Sequence, residues 1–143
     1  MLFGPRNASP TDAPEHFVHR NGAESVSSAW LADDDLSIER DLLAQLGAKF
    51  AKVDVRTPRR MRGEAARFPD GEVLLLPSSE LQWIPDRRVV GVTLRTRKLA
   101  AIQSIVASEK TYDDTNVRYR GGPSLFVPPE KACGMWLEFR AAS

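Results

Sequence analysis

Few residues in this chain have chemistry to offer, and they are unevenly placed. Its two histidines, His16 and His19, form His-x-x-His. Imidazoles at that spacing can ligate a divalent metal, but a segment holding Pro5, Pro10 and Pro14 is a poor platform for preorganised ligands. The pair reads better as surface or packing histidines. Cys133 is the only cysteine. It rules out an internal disulfide and a multi-cysteine zinc site, and it points to a reducing, cytoplasmic setting. No Ser-His-acid arrangement can be assembled, because His16 lies in the irregular N-terminal arm and His19 directly beside it. Glu138, inside the strand-like run 134–140, is the candidate general base if burial strips its water. Arg95 offers a planar fork that matches a carboxylate. Arg56, Arg59, Arg60 and Arg62 form a basic run with Pro58. Twenty Lys+Arg against nineteen Asp+Glu leave a net charge of +1, so the run reads as a solvated loop and nucleic acid is not expected as a partner. Asp33, Asp34 and Asp35 read as helix-capping acids.

These side chains need elements to hold them. A length of 143 residues suits one domain. No apolar run is long enough to span a membrane. Residues 1–18 read as an irregular arm. Residues 23–32 alternate as a strand. Ile38, Leu42 and Leu46, with Leu43 beside them, give a helix with one apolar face, and Gly47 suits its C-terminal cap. Residues 49–55, 64–68 and 72–76 read as strands, with a Pro69-Asp70-Gly71 turn before the last. After a connector at 78–88 the pattern repeats. Residues 89–96 are a strand, 98–109 a helix, and 112–118, 124–127 and 134–140 strands. Shifting the numbering by 63 places Leu31 on Leu94, Leu42 on Ile105, Gly71 on Gly134 and Leu74 on Leu137. Each half reads β-α-β-β-β: module 1 at about 23–77 and module 2 at about 89–140, within a single domain spanning 19–143. The fold class is α+β, with curved mixed sheets around a shared cleft.

This duplication resembles the vicinal oxygen chelate superfamily of glyoxalases, bleomycin-resistance proteins and extradiol dioxygenases. Residues 19–23, His-Arg-Asn-Gly-Ala, are similar to a His-Pro-Asn-Gly-Ala segment of glyoxalase-like proteins. Residues 89–95 followed by 99–101 resemble the opening of a second module. Residues 126–129 and 133–139 resemble its closing strands. The resemblance implies metal ligands on the first and last strands of each module. Here those positions are Ser28, Leu75, Gly91 and Glu138, of which only Glu138 has a ligand's chemistry. The sequence therefore offers no metal site: no cofactor is expected, and a divalent metal is disfavoured.

Alternation points Ser28 and Trp30 into the cleft, with Val73 and Leu75 opposite, and Gly91, Thr93, Arg95, Trp136, Glu138 and Arg140 from the second module. Ser28, Trp30, Thr93, Arg95, Trp136 and Arg140 are the candidate ligand-binding residues, and Glu138 the candidate catalytic one. Two tryptophans could stack on a planar ligand, and Arg95 could hold its carboxylate. An Arg95–Glu138 ion pair and tryptophans that plug the cleft are the bland alternative. Three functions stay open: a metal-free protein binding a small organic ligand, a glyoxalase-like enzyme using Glu138, and an interaction module with a filled cleft. The resemblance also implies a homodimer.

Overall fold

The computed structural model of the chain describes residues 22–56, 60–80, 88–108, 117–119 and 122–142. The arm with His16, the neighbouring His19, and residues 81–87 of the connector lie outside the described residues. Eight strands and two α-helices follow in order: β1 (Ala23–Asp33), α1 (Ser37–Gln45), β2 (Lys49–Arg56), β3 (Arg60–Phe68), β4 (Gly71–Pro77), β5 (Val89–Thr96), α2 (Leu99–Ser108), β6 (Val117–Tyr119), β7 (Gly122–Val127) and β8 (Trp136–Ala141). The fold is α+β, with each half built β-α-β-β-β. Three strand starts depart from the sequence reading, and β8 begins at Trp136 rather than at residue 134. Arg60 and Arg62 belong to β3 rather than to a basic loop, and Gly122 and Pro123 open β7. Gly47 adopts φ +86, the left-handed conformation that stops α1.

All eight strands form one sheet, ordered β2-β3-β4-β1-β5-β8-β7-β6. The modules join edge to edge: β1 runs antiparallel to β5, with Ser28 opposite Thr93 and Trp30 opposite Gly91. Within each module the first strand runs parallel to the last, β1 with β4 and β5 with β8. Trp30 and Phe126 come from strands three places apart, about 14 Å on a flat sheet. Their ring centroids lie 6.3 Å apart, so the face they share is concave.

That face carries the central core: Trp30, Ala32, Val55, Met61, Ala65, Leu74, Leu76, Val90 and Phe126. Both helices lie on the opposite, convex face. There Leu43 of α1 packs on Ala66 and Leu75, and Ile102 of α2 packs on Leu125, Val127 and Phe139. Two expectations are corrected here. Val73 and Leu75 do not line the cleft; they lie beneath α1, and Leu74 and Leu76 face Trp30's side instead. The stripe Ile38, Leu42 and Leu46 is not the core face of α1. All three are exposed, and Leu43 is the helix's buried residue.

Candidate functional site

The strand register decides which side chains meet on the concave face. On β5 and β8, Thr93 lies beside Glu138 and Arg95 beside Arg140. On β7, Ser124 is opposite Arg140 and Phe126 is opposite Glu138. Alternation therefore brings Thr93, Ser124, Glu138 and Arg140 together. Glu138 is 1% exposed and Thr93 and Trp30 are fully buried. Burying a carboxylate requires partners, and Glu138 has them. Thr93 Oγ1 donates to Glu138 Oε2 at 2.7 Å, and Ser124 Oγ donates to Oε1 at 2.7 Å. Arg140 forks onto the same carboxylate, with Nη2 at 3.0 Å from both oxygens and Nε at 3.2 Å from Oε1. The chain of donors extends to Trp30, whose indole Nε1 donates to Thr93 Oγ1 at 3.0 Å.

Of the predicted site residues, Trp30, Thr93, Glu138 and Arg140 thus form one connected network. Ser28 is buried nearby on β1 and donates to Glu72 Oε1 at 3.3 Å. Trp136 is half-buried and packs against the central core beside Gly91. Arg95 stands apart. It is exposed, it makes no ion pair among the described residues, and Glu138 pairs with Arg140 in its place. The sequence reading missed Ser124. Its signal was available, because Ser124 shares a strand face with Phe126. Cys133 is exposed in the turn before β8 at φ +54, as its alignment with a turn residue suggested.

The network limits what Glu138 can do. Its oxygens already accept from Thr93, Ser124 and Arg140, and almost none of it reaches solvent. A general base must touch the proton it removes. Glu138 instead ties β5, β7 and β8 together.

A comparison with solved structures finds close likeness in shape. Methylmalonyl-CoA epimerase from Mycobacterium tuberculosis superposes with a TM-score of 0.68 at 16% identity, over 90% of this chain and 94% of that one. A hypothetical protein from Bacillus halodurans C-125 gives 0.61 at 15% identity, over 83% and 94%. A catechol 2,3-dioxygenase gives 0.56 at 11% identity, over 84% of this chain and 44% of that one. No family model and no curated protein matches the sequence. The chain has the fold of the vicinal oxygen chelate superfamily. At these identities the likeness is of fold alone.

The donor set does not fit the metal that this fold implies. The parallel registers place Glu138 beside Thr93 and Leu74 beside Trp30, so Leu74, not Leu75, is the last-strand counterpart of Glu138. The four positions are then Ser28, Leu74, Gly91 and Glu138. Leu74 and Gly91 offer no donor, and Glu138 is engaged by three side chains. Space is closed as well. A Cβ built on Gly91 would come within 2.3 Å of Trp30 Cε3, so the indole stands where a ligand from β5 would start. No three His, Cys, Asp or Glu side chains among the described residues converge to hold an ion.

Proposed function

We propose that the chain is a small-molecule-binding protein that works without a resident divalent metal, and that its ligand is a small organic anion. The concave face is polarised. One end is apolar, with Val55, Met61, Leu76 and Val90. The other carries Thr93, Ser124, Glu138, Arg140 and Arg95. The observation behind the reading is Arg95: an exposed guanidinium, without an ion pair among the described residues, beside an Arg140 whose charge is already met by Glu138. Among the described residues that leaves one net positive charge at the polar end of the cleft, with a fork suited to a carboxylate. Half-buried Trp136 supplies aromatic surface on the same face. The exposed thiol of Cys133 suits a reducing, cytoplasmic setting. Among the described residues no helix is long and apolar enough to cross a membrane.

The test is a thermal-shift and tryptophan-fluorescence screen of small carboxylates and phosphonates, run beside elemental analysis of the purified protein. Saturable binding that Arg95→Ala weakens tenfold or more supports the reading, that factor being about 1.4 kcal/mol. Binding indifferent to Arg95→Ala, or near-stoichiometric metal that Glu138→Ala removes, overturns it.

A further inference from the structure

A second carboxylate lies on the concave face, and it is held differently from Glu138. The registers place Arg67, Glu72, Ser28, Thr93 and Glu138 in one row across β3, β4, β1, β5 and β8. Leu74 and Leu76 face the concave side of β4, so alternation turns Glu72 the same way. Its side chain is 27% exposed, against 1% for Glu138. Its contacts are long. Ser28 Oγ donates to Oε1 at 3.3 Å, and Arg67 Nε stands 3.5 Å from Oε2, beyond the range of a good N–H···O bond. Oε2 therefore accepts no hydrogen bond among the described residues. An ionised carboxylate offers about four acceptor positions, and most of those on Glu72 are open.

We infer that Glu72 selects the ligand: it accepts a hydrogen bond from a hydroxyl carried on the same organic acid whose carboxylate Arg95 holds. The inference rests on the ligand-binding reading above and deepens it. Geometry supports it. Arg95 lies two residues past Thr93 on β5, and Glu72 lies two strands away on β4. On a flat sheet their Cα atoms would be roughly 12 Å apart. Both stand on long side chains above a concave face, and they make no ion pair with each other. A ligand that crosses the seam between the modules meets both. The separation sets its shape. A hydroxyl at the far end of a short carbon chain spans the gap, whereas one on the carbon beside the carboxylate stays next to Arg95. Charge sets the donor's neutrality. Arg67 already meets the charge of Glu72, as Arg140 meets that of Glu138, so no cation is called for from the ligand. A site that hydrogen-bonds a hydroxyl also rejects the analogue lacking it. The analogue displaces water from the carboxylate and puts nothing in its place.

The test is calorimetric titration of the full chain with butyrate, 4-hydroxybutyrate and 4-aminobutyrate, and with hexanoate, 6-hydroxyhexanoate and 6-aminohexanoate. In at least one series the hydroxy acid is expected to bind tenfold or more tighter than both the plain acid and the ammonium-bearing one. Glu72→Ala is expected to erase that preference while the plain acid still binds, with circular dichroism showing the fold retained. Arg67→Ala reads the same group without altering it. It leaves the charge of Glu72 unmatched, and is expected to narrow the gap between the hydroxy and ammonium acids at least threefold. Equal binding of the hydroxy and plain acids overturns the inference, as does a preference that survives Glu72→Ala, a preference of the parent for the ammonium acids, or an Arg67→Ala chain that discriminates like the parent. Plain acids that still depend on Arg95 in those cases leave the ligand-binding reading standing. Failure of all six acids to bind counts against both.

Discussion

Trp30 rests on Gly91 so closely that a Cβ on residue 91 would lie 2.3 Å from its Cε3 and 2.8 Å from Cδ2 and Cζ3. These two residues are opposite each other across the β1–β5 seam, where the modules join. The indole cannot swing aside, because it is fully buried and its Nε1 is held by Thr93. Gly91→Ala should therefore cost about 1–3 kcal/mol through overpacking. Trp30→Leu in the same chain should recover part of that loss. Urea unfolding of both singles and the double checks it: strictly additive losses would mean that the two residues do not share the space.

Thr93 is the link between the indole and the carboxylate, accepting from Trp30 and donating to Glu138. Thr93→Val keeps the shape and removes both bonds. Two buried polar groups then lose a partner, and a cost of about 1–3 kcal/mol is expected. The shift should appear in the urea midpoint, with tryptophan emission altered as the indole N–H loses its acceptor. An unchanged midpoint would show that water or a neighbour replaces the hydroxyl at no cost.

Glu138 separates a structural role from a catalytic one. Glu138→Ala strands the Arg140 guanidinium and leaves Ser124 and Thr93 without their acceptor, a loss of about 3–5 kcal/mol. Glu138→Gln keeps one acceptor oxygen and should cost less. A catalytic base would behave otherwise, with Glu138→Gln folding like the parent and failing only in turnover. Melting temperatures of the two variants decide between these patterns.

The part of this arrangement legible in the sequence was the part marked by polar residues. On β8, Glu138 between Leu137 and Phe139 fixes which side chains turn inward, and the reading of Thr93, Trp136 and Arg140 follows from it. On β4 the run Leu74-Leu75-Leu76 is buried on both faces, so no polar residue marks the register. A single repeat offset of 63 carried Leu75 to the place of Glu138, whereas the parallel registers require 64 in that strand. A slip of one residue exchanges the two faces. The Arg95–Glu138 pairing failed for a different reason. Arg95 and Arg140 are neighbours on one face, and alternation alone does not say which guanidinium turns back to the carboxylate.

Acid should weaken the start of α1. Hydrogen bonds from Ser37, first from its backbone N–H at 2.9 Å and then from its hydroxyl, hold the Asp35 carboxyl below its ordinary value. A carboxyl depressed in the folded state adds stability above its unfolded pKa of about 3.9, and that contribution is lost as pH falls through the lower folded value. Asp35→Asn should therefore be less stable than the parent at neutral pH, and the two should converge below about pH 4. Denaturation midpoints across the acid range test this. A constant gap between the two proteins would remove the titration of Asp35 as its cause.

Leu42 and Leu43 are adjacent, and their burial differs sharply. The row Ile38, Leu42, Leu46 has the spacing of a core face, but the residues that reach the sheet are Leu36 and Leu43, seven apart and offset by one position. A helix offers both rows to any periodicity argument, and tertiary packing chooses between them. Leu43 sits on Ala66 and Leu75, so Leu43→Ala should cost about 2–4 kcal/mol through lost contact and the cavity left behind. Leu42→Ala removes a side chain that is 53% exposed, and in the monomer it should change stability by less than about 0.5 kcal/mol. Urea unfolding of the two variants checks both values, and a large Leu42→Ala deficit would place Leu42 in the core after all.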